Sequence, residues 1–463
     1  MSFVIIGGGL AGLLIAKRLL ELEPGKTITI LERNKRIGGL LAGTDYPEES
    51  LYFDQGTHLF RESEWPEVDE FLLGVLQPQQ LLHFPPGVGD LAGSVFGGAL
   101  QEHSHYPDIR SQPDHVPILD SVLDHLATGF CSIDSIPRRG SLVEAGYKRF
   151  GKRYTDQVLA PVLANMYGCS ADELAGFAML LPGLTRLVAM EQGAWVQRLD
   201  DAGFRALLAV PDQRRMPSSH ANEKRRYYAR GQGTRSFIEA IRVHLEQRGV
   251  NILEDVQITR CDPLNRHVQW RDAEGNEHAL FADKLFFATG VVGAARILGI
   301  DIARFGFERP LAHRIVNIEL MDATTSDLSY FYGLDPGLDF YRTTNYRAFS
   351  GDLEDRRLSI EVLGDRGIDD ERLPQHLVDQ LHAIGFLRNN TVRFARVELL
   401  SMGLPRPTMA NLNALHELNS FLQGALPETT PIFGVGVGDG LFFQNEIMGD
   451  IQCRMGRWAE ARS

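Results

Sequence analysis

Phe3-Val4-Ile5-Ile6-Gly7-Gly8-Gly9-Leu10-Ala11-Gly12-Leu13 stands near the start of a 463-residue chain, and its reading decides the fold. Phe3 to Ile6 is a short apolar run with β-branched members, the pattern of a parallel strand buried on both faces. The run breaks at Gly7, Gly9 and Gly12, in G-x-G-x-x-G spacing, and Leu10 to Leu22 then carries a helical apolar period. The first glycine permits a tight turn, the second lets backbone approach a pyrophosphate, and the third lets helix pack closely on strand. The helix N-terminus, with the amides of Leu10 and Ala11, offers free N–H groups and a positive dipole end to phosphate. Thr27 to Leu31 reads as a second strand ending at Glu32, 20 residues past Gly12, where a carboxylate is needed to accept from ribose hydroxyls. Together these features predict a dinucleotide-binding β-α-β unit.

The next residues distinguish FAD from NAD. Arg33-Asn34-Lys35-Arg36-Ile37-Gly38-Gly39 follows the acidic residue directly, and Tyr52-Phe53-Asp54-Gln55-Gly56-Thr57-His58-Leu59-Phe60 lies further on. Here the sequence resembles the flavoprotein superfamily of amine oxidases, protoporphyrinogen oxidases, phytoene desaturases and UDP-galactopyranose mutases. The resemblance implies that Arg36, Gly38 and Gly39 lie against the cofactor diphosphate and that Gly56, Thr57 and His58 run beside the isoalloxazine. A guanidinium and two glycines suit close approach to phosphate.

The length exceeds one compact core and predicts two or three domains. A net charge of −13 with no compensating basic stretch argues against a nucleic-acid partner. Cys131, Cys169, Cys261 and Cys453 are scattered, without metal-ligand spacing, and read as reduced thiols of a cytoplasmic protein. No metal site is expected. No apolar run is long enough for a transmembrane segment, and the N-terminus lacks the basic leader of a signal peptide. A small-molecule substrate is expected, and a homodimer is compatible with the sequence.

After the first unit, residues 61–222 do not alternate strand and helix. Trp65 to Leu73 reads as a short amphipathic helix, and Pro78 to Asp114, rich in Pro, Gly and His, as irregular with some extended chain. From Ser141 to Gln197 the apolar period is helical, and Ser170 with Glu173 three residues on predicts a capped helix start. The stretch from Tyr147 through Met166-Tyr167-Gly168 to Leu174 again resembles the helical part of the protoporphyrinogen-oxidase-like and mutase-like members, which implies a helical insertion covering the flavin. A glycine turn at Gly231-Gln232-Gly233, a helix from Arg235 to Gln247 and a strand near Val250 then return to the nucleotide fold. The resemblance implies that Val256 meets adenine through its backbone and that Ala288-Thr289-Gly290 is the family's A-T-G turn. Strand-like runs at Ile315–Leu320, Leu338–Arg342 and Leu358–Leu363 predict an antiparallel substrate-side sheet over 291–397. Pro431 to Val437 reads as a strand, and the Gly438-Asp439 turn with Gln444 and Asn445 behind it resembles the family's C-terminal FAD motif. The expected fold is α/β: a two-nucleotide-binding-type Rossmann FAD domain, discontinuous over 1–60, 223–290 and 398–463, with a discontinuous substrate domain.

A flavin carries the redox step while the protein orients and tunes it. The resemblance therefore implies an FAD-dependent oxidoreductase that takes hydride from a small organic substrate and is reoxidised by oxygen or another acceptor. The chain departs from classical amine oxidases, which place a two-aromatic cage near this motif: here it holds Phe442 and Phe443, which weakens simple amine oxidation. The nearest cysteine, Cys453, lies beyond it, so FAD is expected to be noncovalent. His58 is the candidate catalytic residue, as a proton relay, or else a histidine satisfied by backbone. Arg342 and Tyr346 are candidate substrate residues, Arg342 able to hold a carboxylate or a sugar diphosphate. Strand alternation puts Arg342 on the opposite face from Tyr341. Two alternatives stay open: a non-redox sugar-nucleotide mutase, and a flavin-fold partner subunit without catalysis.

Overall fold

The structure is a computed structural model and describes residues 2–84, 91–129, 140–220, 224, 226–427, 430–441 and 444–460. Phe442, Phe443 and Cys131 lie outside the described residues. The chain forms two compact units. One comprises Met1–Leu82, Arg226–Phe307 and Asn413–Ser463; the other comprises His83–Arg225 and Glu308–Leu412. Most of the segments 61–222 and 291–397 therefore lies together in the second unit.

The first unit is built on strand β1 (Ser2–Ile6), helix α1 (Leu10–Leu22), β2 (Thr27–Leu31), α2 (Gly233–Glu246), β3 (Val250–Leu253), β4 (Lys284–Phe287), α3 (Gly290–Ile297) and α4 (Gln444–Glu460). The four strands form a parallel sheet in the order β3-β2-β1-β4, with Val4 paired to Thr29 on one side and Leu285 on the other. Val4, Ile5 and Ile6 are buried because core lies on both faces. One face packs on α1, α2 and α4; the other packs on α3 and an antiparallel sheet of Gln257–Asp262, His267–Arg271 and Glu277–Phe281. The C-terminal helix is fixed by Trp458, whose ring meets Phe3 at 6.1 Å and Phe286 at 5.6 Å, both edge-on. Pro431 to Val437 is not a strand. It makes a single parallel bridge, Ile432 to Phe287, because Gly434 and Gly436 leave nothing to hold an extended ladder.

In the second unit, helices include His115–Ala127, Leu142–Phe150 and Ala160–Tyr167. The capping box belongs to Ser141: its Oγ accepts from the Glu144 amide at 3.2 Å and Glu144 answers at the Ser141 amide. The similar pattern at Ser170 closes only a turn that runs into a bridge between Leu174 and Thr408, so the expected helix start is corrected. A seven-stranded sheet runs in the order Val392–Leu399, His313–Leu320, Arg357–Leu363, Arg342–Asn345, Tyr330–Gly333, Ala92–Phe96 and Ala99–Gln101. All its pairings are antiparallel except Tyr330–Gly333 with Ala92–Phe96. The last two strands fall in the stretch read as largely irregular; their short length and flanking Gly97 and Gly98 hid them. Leu338–Tyr341 lies ahead of its strand, which starts at Arg342, because the Asp335-Pro336-Gly337 turn carries over to Leu338, whose amide donates to the Asp335 carbonyl. One face of the sheet, with Val316, Ile318, Phe331, Ile360 and Val362, is apolar and packs on helix Leu373–Ala383. Alternation turns Asn317, Ser359, Glu361, Arg342 and Tyr332 to the other face.

Candidate cofactor site

The glycines of the first loop serve different ends. Gly7 has φ +105°, and a Cβ there would lie 2.6 Å from the Ala288 carbonyl oxygen; at Gly12 it would lie 1.9 Å from the Gly7 oxygen. Both therefore fit backbone to backbone. Gly9 caps α1 in extended conformation, and a Cβ there would meet nothing within 4 Å. Helix α1 has no side-chain cap and no acidic residue in its first turn, so the amides of Leu10 and Ala11 remain an anion site.

Glu32 ends β2 buried. Its Oε2 accepts from the Gly8 amide at 2.7 Å and its Oε1 from the Asn34 amide at 2.8 Å, and each oxygen keeps a second lone pair. The Val256 amide donates to the Glu32 carbonyl at 3.0 Å, which holds the end of β3 against β2. Gly38 and Gly39 lie against the first loop: the Gly38 amide donates to the Gly8 carbonyl at 2.8 Å. Both have positive φ, +112° and +57°, a region that glycine enters without the steric cost a side chain brings. Arg33 is exposed. Arg36, expected at the diphosphate, is 54 % exposed and paired with Asp45 at 2.5 Å. Buried Arg235 binds the same carboxylate. Partial burial raises the Asp45 carboxyl, yet the Arg235 and Arg36 hydrogen bonds hold it below its ordinary value.

Asp54 is the buried pin of the D-x-G-x-H segment. It accepts from the Tyr52 and Tyr228 hydroxyls at 2.8 and 2.5 Å and from the Thr234 hydroxyl at 2.8 Å, fastening the segment to the start of α2. Asp54→Ala should cost about 3 kcal/mol, because buried hydroxyls lose their acceptor; urea titration checks this. Gly56 turns with φ +94°, Thr57 and His58 are half-buried, and His58 Nε2 lies 3.0 Å from the Gln55 carbonyl. A carbonyl only accepts, so a neutral His58 carries its proton on Nε2.

The A-T-G turn and the C-terminal motif meet. Asp439 accepts from the Val291 amide at the start of α3 and from the Val435 amide, each at 2.9 Å. A Cβ on Gly290 would lie 2.5 Å from Asp439 Oδ2. Gly438 sits in the same one-turn helix as Asp439. Burial pushes the Asp439 carboxyl above its ordinary value despite the two amides. Such a group binds its proton more tightly folded than unfolded, so its contribution to stability declines as pH rises through the carboxylate range. Asp439→Asn should flatten that part of the pH–stability curve, read by thermal melts across acid pH.

From the leading loop, Gly7 abuts Ala288; from the closing turn, Asp439 abuts Gly290. Four segments from both ends and the middle of the chain thus form one cluster. A dinucleotide fits it on three counts. Gly9 and Gly436 leave open space where a Cβ would stand. Thr289 Oγ1 and Gln444 Oε1 are closed to water and lack a hydrogen-bond partner among the described residues. Asn445 follows Gln444 in the first turn of α4.

The candidate substrate residues lie in the second unit. Tyr346 is fully buried, its hydroxyl 3.4 Å from Ser359 Oγ. Arg342 donates from Nε to Glu361 Oε1 at 2.7 Å, and His313 Nε2 lies 3.1 Å from the other carboxylate oxygen. The Arg342 guanidinium lies 5.6 Å from the Tyr341 ring and 5.8 Å from the Tyr332 ring. Strand alternation does not separate Tyr341 from Arg342, since Tyr341 precedes the strand. Sequence alone marks neither Asp45, Asp54 and Arg235 nor the Glu361–His313 pair as site residues; their partners are remote in the chain, and only Asp54 stands inside a recognisable motif.

The fold is of the Rossmann type, and the cluster has the shape and open polar groups to hold a dinucleotide. Residues 5–72 match the family described as NAD(P)-binding Rossmann-like domain. Protoporphyrinogen oxidase of Schizosaccharomyces pombe is 24 % identical over 211 residues, which span 40 % of this chain and 40 % of that relative. Reduced UDP-galactopyranose mutase superposes with a TM-score of 0.72 at 15 % identity, covering 100 % of this chain and 94 % of that one. Cyclohexylamine oxidase from Brevibacterium oxydans superposes with a TM-score of 0.60 at 12 % identity over 99 % of both chains. In sequence motifs and fold the chain resembles the FAD-dependent amine oxidase superfamily. No helix among the described residues is long and apolar enough to cross a membrane.

Proposed function

We propose that the protein is an FAD-dependent oxidoreductase acting on a small organic substrate, with FAD held noncovalently. The observation that carries this reading is the convergence of the Gly7–Gly12 loop, the Gly38-Gly39 turn, Ala288-Thr289-Gly290 and Asp439. Bound there, FAD would supply the acceptor for a hydride from substrate, returned to oxygen or another acceptor. The chain's own residues bind and orient. The α1 amides and the Gly9 gap would take the diphosphate, Glu32 the ribose through its remaining lone pairs, and Asp439 with Thr289 and Gln444 the polar chain between. Arg36 would reach phosphate by leaving Asp45, which Arg235 continues to neutralise. His58, with its proton on Nε2, would be the polar contact beside the ring. We assign substrate recognition to the second unit and the cytoplasm as the compartment.

Reconstitution with FAD followed by oxygen-uptake measurements on candidate amines and other C–H donors tests the reading. A yellow protein whose colour bleaches anaerobically with a donor supports it. Gly56-Thr57-His58-Leu59-Phe60, which resembles the G-x-H-x-F stretch of the mutases, favours one second reading, the mutase: yellow protein that no donor bleaches, active only after prior reduction and without oxygen uptake, would establish it instead. Colourless protein that takes up no FAD would overturn both.

A further inference from the structure

We propose that Arg342, framed by Tyr341 and Tyr332, is the binding site for a carboxylate-bearing ligand and discriminates against phosphate. Arg342 uses only Nε toward Glu361. Its two terminal amino groups have no hydrogen-bond partner among the described residues, and the side chain is 18 % exposed. That leaves the end-on edge of the guanidinium, two parallel N–H groups, which matches a carboxylate fork. The guanidinium is held in place on both counts. Glu361 grips one edge, and the two tyrosine rings, 5.5 Å apart and inclined at 70°, flank it at 5.6 and 5.8 Å.

The neighbouring Tyr341 hydroxyl adds an unsatisfied group. Tyr341 is 4 % exposed, its backbone is fixed by hydrogen bonds to Glu361 and Gly333, and its hydroxyl has no partner among the described residues. A buried hydroxyl without a partner is a standing cost, and a ligand oxygen on the adjacent guanidinium is the acceptor within the same cluster. Glu361 decides the charge of the ligand. Arg342 holds the Glu361 carboxyl ionised although burial opposes it, so the single charge of the guanidinium is already balanced and the site offers a ligand its two terminal N–H groups rather than net charge. One further carboxylate completes an arginine between two carboxylates. A phosphate dianion would set two more negative charges beside a buried one, which desolvation and repulsion oppose.

As a substrate site this rests on the flavoenzyme reading, but binding can be read without turnover. Calorimetric titration of the FAD-reconstituted full chain with benzoate, hexanoate and inorganic phosphate tests it, with flavin content read separately. Benzoate or hexanoate should bind and phosphate should not. Arg342→Lys, which keeps the charge and loses the fork, should weaken carboxylate binding roughly tenfold or more. Tyr341→Phe should weaken it severalfold while leaving the melting temperature unchanged or higher, because the hydroxyl has no partner to lose. Neither carboxylate binding, phosphate binding as well as they do, or Tyr341→Phe lowering stability without touching affinity would each overturn the proposal. A colourless protein that still binds benzoate would overturn the flavin reading alone.

Discussion

Gly9→Val should purify as folded, colourless protein, with an apo melting temperature equal to that of wild-type apo-protein and FAD affinity reduced roughly 100-fold or more, about 3 kcal/mol. Extended backbone at Gly9 accepts any side chain, and a Cβ there touches nothing within 4 Å. The added branches would fill only the approach to the α1 amides. Gly12→Ala should behave differently. Its Cβ would stand 1.9 Å from the Gly7 carbonyl oxygen, a backbone atom that cannot rotate away. Helix α1 must then lift from β1, and the apo-protein itself should lose at least about 1–3 kcal/mol, with FAD binding lost as a consequence. Melting temperature and flavin absorbance, measured on both variants with and without FAD, separate the two outcomes. Equal destabilisation of both apo-proteins would show that Gly9 is a folding glycine after all.

Glu361→Gln should be the most damaging single change in the second unit, at about 3–5 kcal/mol, because it leaves a largely buried guanidinium without its counter-charge. Replacing both partners, as Arg342→Met with Glu361→Leu, should recover most of that loss, since an apolar pair leaves no charge to solvate. The pH dependence has a defined sign. Arg342 and His313 hold the Glu361 carboxyl below its ordinary value of 4.5 although burial opposes them. Its contribution is therefore complete at neutral pH and is lost only as pH falls below that value. Denaturant titrations should show wild type and Glu361→Gln far apart at neutral pH and converging in acid.

The nucleotide fold was legible because its signals are local. Phe3 to Ile6, Gly7 and Gly12 each report a backbone requirement within a few residues, Gly9 and Glu32 report room and an acceptor for a ligand, and the strand, turn and helix form where those signals point. The edges of the sheet were harder. Val250–Leu253 and Lys284–Phe287 are neighbours of Thr27–Leu31 and Ser2–Ile6 only through long-range pairing, which periodicity does not encode. The polar partners were hidden for the same reason. Arg36 reads as a phosphate ligand in its own motif, and the carboxylate it meets, Asp45, lies in a hairpin that no pattern links to it. Arg342 and Tyr346 stand out by residue type, but Tyr346 proves to be core and Arg342 acquires its meaning from Glu361, on the adjacent strand. Ser141 and Ser170 carry the same capping spacing, and only the apolar period that follows Ser141 turns it into a helix start.

The first unit is stitched from three separate stretches of chain, with β1 paired to β4 and the Asp439 turn closing on α3. During synthesis, the opening strand meets β2 early but must wait for β4, which ends at Phe287, before its second neighbour exists. Until then its apolar residues need shelter, and the nucleotide cleft cannot be completed before the last helices leave the ribosome.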